Sequence, residues 1–422
     1  MGPFDLLIRN TSEVVTCDGP LQAAAELTLA PVAGGAVGVI DEQIAWLGAE
    51  GSWPTGSVTS QTRVLDARQG FVGPGFVDCH THLVFAGERA DELELRCQGQ
   101  SYLEIAAAGG GIARTVRATR DASEDQLVAL ALPRLRRLLE HGVTTAEVKS
   151  GYGLDLESEL RMLRTVRRLG GEQPISLFST FMGFHSVPPE HRSTRDAYLE
   201  LCLEVMLPRV AKEQLATTCD AFIEQSAFTH DEGRRLATKA RELGLGLRLH
   251  VDQLTPNGGA QLAAELGATT ADHLEQVSAE GIAALARGGV IAVLAPTSTL
   301  FARARPFAPG RALRDAGVQV AVCTNCNPGS SMSENVALAL GLACVENSLT
   351  PAEAYLGFTR VAGLALRDKT LGRLYVGGPA DLVFFDAPSY RHLPYQFAMN
   401  QARLVVKRGA VAHVRADGRV GF

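Results

Sequence analysis

The sequence predicts an α/β fold, a (β/α)8 TIM-like barrel joined to a β-sandwich that both chain termini build together. Three observations carry this. Between about residues 70 and 369, short apolar runs alternate with amphipathic helical stretches, the rhythm of a parallel barrel. On either side of that region the texture is strand-like, with little helical periodicity. The middle region also opens on FVGPGFVDCHTH, where a Gly-Pro-Gly break precedes a short apolar strand and two histidines one residue apart.

Taken in chain order, residues 1–69 carry DLLIRN, GAVGVI, EQIAWLG and TRVLDA, with Gly and Pro between them. Residues 370–422 repeat the pattern in GPADLVFFD and ARLVVKRGAVAHV. Each end is too small to bury a core alone, so the two together make one composite sandwich around a barrel spanning 70–369. Within that span FVDCHTHLVF, TTAEVKSG, ISLFSTFMG, CDAFIEQ, GLRLHVDQ, TTADHLEQ, VIAVLAP and QVAVCTNCN read as eight strands. Between them, EDQLVALALPRLRRLLEHG, LESELRMLRTVRRLG and SAEGIAALARGG space leucine and alanine by three and four and end in glycine, as helix termini do. Gly109 to Gly111, with no strand-loop-helix phosphate motif around them, read as a mobile loop over the barrel mouth.

Composition narrows the function. The chain has 422 residues, 46% hydrophobic and 20% charged, and a net charge of -6, which gives no basic footprint for nucleic acid. No apolar run reaches membrane-spanning length, and MGPFDLLIRN lacks the pattern of a secretory leader, so a cytoplasmic enzyme is the expectation. The eight cysteines are scattered, several inside apolar runs, and read as buried thiols. Cys323 and Cys326 form one C-x-x-C without a second pair, which argues against a structural zinc site.

In such a barrel the chemistry sits where strands end. Strand one ends in His80 and His82, strand five in His250 with Gln253 just beyond, strand six in His273, and strand eight in Asn325. Alternation puts His80 and His82 on one side, and with His250 they offer three imidazoles to one ion, leaving a position open for water. That is the catalytic arrangement, in which the ion acidifies water to a nucleophile. His273 would hydrogen-bond the nucleophile or the substrate carbonyl and stabilise an oxyanion. His141, His191, His230, His392 and His413 fall in helix ends or polar loops and read as solvated or capping residues.

These features resemble the amidohydrolase superfamily, and VFAGERADELELR, EVKSGYGL, FMGFHSVPPE, HVDQ, ADHLE and NCNPGSS, in this order, resemble its imidazolonepropionase family across essentially the whole chain. The resemblance implies hydrolysis of the cyclic amide of 4-imidazolone-5-propanoate to N-formimidoyl-L-glutamate in histidine catabolism. It places one Zn or Fe ion on His80, His82, His250 and position 325. It places substrate contacts on Arg89, Tyr152, His185 and Gln253, and contacts to the product or its propionate on Asn327, Gly329 and Ser330. Together with His273, Asn325 and Gln253 make up the implied catalytic set. A homodimer is implied as well. The residue types suit these roles: Arg89, on the loop leaving strand one, gives an acid substrate a fixed cation, and backbone N–H groups at Asn327 to Ser330 would suit a carboxylate. Glu147 and Lys149 are expected to pair near the barrel mouth, and Glu224 to act as a supporting or ion-pair residue.

One position departs from the family pattern, which has an aspartate at the end of strand eight where this chain has Asn325. An amide oxygen can coordinate, but it brings no charge and cannot accept a proton at neutral pH. Weaker metal binding and water activation slower by about 10²-fold to 10⁴-fold follow. Three accounts are open: a deliberate replacement that traps substrate, a chain that has lost activity, and proton transfer through His273. The otherwise intact constellation favours the first. Two rival functions share the scaffold, a heterocycle deaminase and a catalytically silent binding protein.

Overall fold

The structure is a computed structural model and describes residues 2–100, 104–105 and 108–416. Eight parallel strands run in unbroken order from β1 to β8. They are β1 (Phe76–Asp78), β2 (Val143–Lys149), β3 (Ser176–Phe184), β4 (Thr218–Ile223), β5 (Gly246–Val251), β6 (Thr270–His273), β7 (Ile291–Leu294) and β8 (Val320–Val322). Their residues are nearly all buried, which is why they read as continuous apolar runs rather than alternating ones. Hydrogen bonds beyond the strand ends draw the two edges together. Thr324 N–H donates to Asp78 Oδ1 at 3.1 Å, and His82 N–H to the Cys326 carbonyl at 2.9 Å.

The helices start and stop where side chains satisfy their free backbone groups. Helices α1 (Ala90–Cys97) and α2 (Ile112–Asp121) follow β1 and precede β2. Helix α3 (Glu124–Glu140) opens on a reciprocal Ser123/Gln126 cap and ends at His141, before Gly142 at φ +88°. Helix α4 (Leu156–Glu172) differs from the sequence reading, because it runs through Gly170 and Gly171 instead of stopping there. The Gln173 side chain accounts for the difference: its amide donates to the Leu169 carbonyl and takes over the capping that glycine was expected to provide.

Two further sheets come from the chain ends. Leu6–Arg9, Gly35–Ile40, Gln43–Ala49 and Arg63–Asp66 form one; Glu13–Val14, Val32–Ala33, Val72–Pro74, Leu382–Phe385, Ala402–Lys407 and Ala410–Val414 form the other. They enclose a second apolar cluster that includes Ile8, Val37, Leu65, Leu382, Phe384 and Leu404. Val72–Pro74 lies in this sheet, pairing with Leu382–Phe385, and the chain then passes through Gly75 into β1. A Cβ at Gly75 would lie 2.1 Å from Thr144 Oγ1, so only glycine lets β1 enter against β2. Phe385 stacks on Phe71 at 4.4 Å and touches Phe76 at 5.6 Å, joining the terminal sheet to the strand that leads to the histidines.

Candidate active site

Strand pairing of β1 stops at Asp78, and the extended chain beyond it carries His80 and His82 to the C-terminal mouth. His250 arrives from β5 and His273 from the end of β6. The ring nitrogens of His80, His82 and His250 offer ligand atoms all within 4.8 Å of one another, and all three side chains are buried. The His80 and His82 Nε2 atoms face each other at 3.3 Å. His82 Nδ1 and His250 Nε2 are buried with no hydrogen-bond partner among the described residues. Desolvation, followed by the charge of Lys149 and of neighbouring histidines, holds all three imidazoles well below their ordinary pKa, so they stay neutral. Three buried, neutral, converging nitrogens suit a divalent or trivalent ion.

Two carboxylates aim these ligands. Asp272 Oδ2 takes His80 Nδ1 at 2.6 Å, and Asp220 Oδ1 takes His250 Nδ1 at 3.1 Å, which turns each Nε2 inward. Behind them Lys149 Nζ lies 2.7 Å from Glu147 and 2.8 Å from Asp220, and Arg248 lies 3.2 Å from Asp272. Burial opposes ionisation of Asp272, but the Arg248 and Lys149 charges outweigh it and keep that carboxyl below its usual range. Two cations therefore face three carboxylates directly beneath the ligands.

The sequence reading missed Asp220 and Asp272, although a signal was present: each is a charged residue inside a run read as a buried barrel strand, where only a paired charge is tolerated. The expected Glu147–Lys149 pair forms, at 2.7 Å, and both side chains are buried just behind the histidines, where Lys149 also meets Asp220. Glu224 makes no ion pair among the described residues; it accepts the Leu254 and Thr255 N–H groups and the Thr255 hydroxyl, and so orders the loop after β5.

The remaining residues are placed as follows. His185 stacks on His82 at 5.1 Å and Tyr152 lies 5.3 Å from His185, both measured between ring centroids. His185 Nδ1 sits 3.0 Å from the Gly151 carbonyl, which fixes Nδ1 as the protonated nitrogen and Nε2 as an acceptor. His273 lies 5.2 Å from His250 and 5.6 Å from His80, with its backbone at φ +83°. A positive φ in a residue of this kind marks local strain held by its surroundings, and Leu274 follows at φ +70°. His273 Nδ1 points toward Glu275 Oε1 at 3.6 Å.

Asn325 is buried at φ +50°, and Asn327 Nδ2 donates to its carbonyl at 2.7 Å. Asn327 Oδ1 also accepts the N–H groups of Gly329 and Ser330, both at 2.8 Å. These two N–H groups are thus not free as the sequence reading supposed, because the asparagine closes a turn well before the next helix, α5 (Val336–Val345). Arg89 does reach this turn: a Cβ on Gly329 would lie 2.5 Å from its Nη1. Gln253 is half-buried beyond β5 and makes no hydrogen bond among the described residues.

With this geometry in hand, comparison with known proteins is specific. The sequence profile of the amidohydrolase family matches residues 71–420. An imidazolonepropionase from Myxococcus xanthus is 61% identical over 98% of both chains, and one from Anaeromyxobacter dehalogenans is 49% identical over 97% of both. The chain belongs to the imidazolonepropionase family of amidohydrolases. Solved structures agree on the fold. A triazine hydrolase variant superposes with a TM-score of 0.74 at 18% identity, covering 96% of this chain and 94% of that one. A 5-methylcytosine deaminase from Klebsiella pneumoniae gives 0.72 at 18% identity, covering 99% of each. The family is metal-dependent, and the imidazolonepropionase site described above holds a cluster of donors able to serve it.

Proposed function

We propose that the chain hydrolyses the cyclic amide of 4-imidazolone-5-propanoate to N-formimidoyl-L-glutamate, a step of histidine breakdown, with one Zn or Fe ion on His80, His82, His250 and the Asn325 side-chain oxygen. The observation that carries the substrate is the 61% identity to an imidazolonepropionase over 98% of the chain. A bound ion supplies Lewis acidity and brings the pKa of water toward neutrality. Every other role falls to the chain's own side chains.

Arg89 binds the propionate, the one full charge on the substrate, from the loop after β1. Tyr152 and His185 pack beside His82 and orient the ring, His185 through its acceptor Nε2. Gln253, Asn327, Gly329 and Ser330 complete the contacts to substrate and product. The reaction adds one water: oxygen bonds to the amide carbon, the ring C–N bond breaks, and the departing nitrogen takes a proton. The Asn325 amide cannot accept the water's proton, so His273, 5.2 Å from His250 and 5.6 Å from His80, holds it and passes it to the nitrogen.

The test is direct. The metal-loaded chain is incubated with 4-imidazolone-5-propanoate, and formimidoylglutamate and ammonia are measured together. Formimidoylglutamate without ammonia is the expected result. Ammonia release would instead make the chain a heterocycle deaminase, and no turnover with full metal content would leave a binding protein on this scaffold. Metal analysis of the same sample decides between zinc and iron. No described helix is long and apolar enough to cross a membrane. A cytoplasmic location and a homodimer complete the proposal, the latter to be checked by light scattering.

A further inference from the structure

Arg89 is held in an unusual way for a residue that must meet a ligand. It occupies the position just before α1, and Glu92, one turn on, accepts its Nε–H at 2.7 Å through Oε2. The other oxygen, Oε1, accepts the Gly111 N–H at 2.9 Å. Glu92 is only 3% exposed, so both of its oxygens are committed to fixed donors and the carboxylate cannot swing. With Nε engaged and Nη1 against Gly329, neither Nη of Arg89 makes a hydrogen bond among the described residues. That leaves the Nη1–Nη2 edge, the fork that takes a carboxylate through two parallel bonds.

The surroundings show what Glu92 opposes. Arg96 donates its Nε–H to the Glu92 carbonyl at 3.4 Å and lies over the Phe301 ring at 5.0 Å. Burial and then the Arg89 charge push the Arg96 guanidinium below its ordinary pKa, and the Glu92 charge opposes them, so Glu92 stands as the anion shared by two cations that repel each other. The tie also extends further. Gly111 caps the start of α2, and at the other end of α2 Arg120 donates to the carbonyls of Gly153 at 2.6 Å and Leu154 at 3.1 Å, directly after Tyr152.

We propose that Glu92 is a positioning residue for substrate charge: it aims the Nη edge of Arg89 at the propionate and locks that aim to α2 and the Tyr152 loop. This rests on the assignment of Arg89 to the propionate. Removing Glu92 takes away a compensating negative charge, which by itself would strengthen anion binding. Loss of position wins, because Arg96 then drives Arg89 off its line, and misplacement of about 1 Å is felt as up to about 10²-fold.

The experiment measures calorimetric affinity of the metal-loaded full-length chain for imidazole-4-propanoate and for 4-propylimidazole, which carries the same ring and a neutral tail. Wild type, Glu92→Ala, Glu92→Gln and Arg89→Met are compared, with the melting temperature of each. Glu92→Ala is expected to weaken the acid by about 10-fold to 100-fold and leave the neutral ligand unchanged, with Glu92→Gln intermediate. Unchanged or tighter acid binding by Glu92→Ala, or equal weakening of both ligands, overturns the proposal. If Arg89→Met keeps the preference for the acid, the propionate assignment itself fails, and the inference falls with it.

Discussion

Asn325 concentrates the chemistry at the level of single residues. Its left-handed backbone is one that asparagine tolerates, and its neighbours Thr324 and Cys326 are tied to Asp78 and His82, so the position beside the ligands is fixed whatever the side chain. What the amide lacks is charge. Asn325→Asp is predicted to raise kcat by about 10²-fold to 10⁴-fold and to tighten metal binding, read from kinetics and metal content on one sample. A gain below tenfold would show that His273 already carries the proton without loss. Gly329 offers a second test. A Cβ there would lie 2.5 Å from Arg89 Nη1, on a side chain tied through Nε to Glu92, so Gly329→Ala is predicted to push the guanidinium off its line and raise KM. An unchanged KM would separate Arg89 from substrate binding.

At the level of elements, α3 shows burial overriding a favourable dipole. His141 ends this helix, donating its N–H to the carbonyls of Arg137 and Leu138, where a positive charge would normally be stabilised. Burial nevertheless pushes its pKa down to about 4, with Glu334 opposing weakly. The unfolded chain, with an ordinary histidine near 6.5, therefore binds more protons between these values, and stability is full above about pH 6.5 and lost as pH falls toward 4. His141→Gln is predicted to remove on the order of 1–3 kcal/mol of this acid-limb loss. Urea midpoints from pH 4 to 7 check it, and parallel curves for the two proteins would refute it.

For the whole molecule, the terminal sheets and the barrel meet through Phe71, Phe76 and Phe385, and Phe76 opens the strand that leads to His80 and His82. We propose that 1–69 plus 370–422, joined by the Val72–Pro74 strand from the start of 70–369, form one unit and the rest of 70–369 the barrel, and that the two unfold together. Phe385→Ala is predicted to cost about 3–5 kcal/mol and to lower the midpoint of metal release by the same shift as that of secondary structure. Two separated transitions would show that the units are energetically independent. Metal removal acts on the same equilibrium: at 100-fold excess over its dissociation constant an ion adds about 2.7 kcal/mol, so chelation should lower the melting temperature, more so in Asn325→Asp.

The sequence by itself determined the barrel, the strand-rich ends and the ends of strands one, five and six as the source of histidines, because apolar period and turn residues are local signals. Even the Asn325 departure is a matter of one letter in a motif. Tertiary structure alone decided which groups stand behind those histidines. Asp220 and Asp272 lie 30 and 192 residues from the rings they aim, and only barrel closure brings them within hydrogen-bond distance. It also gave Lys149 a second carboxylate, Asp220 at 2.8 Å, beside the Glu147 partner that the local sequence suggests. The Gly329 and Ser330 N–H groups, free to any reading of the local sequence, are taken by a side chain whose rotamer only the packed turn selects. Backbone pattern repeats along a chain and can be read from it; pairing of buried charges depends on distances that exist only after the chain has closed on itself.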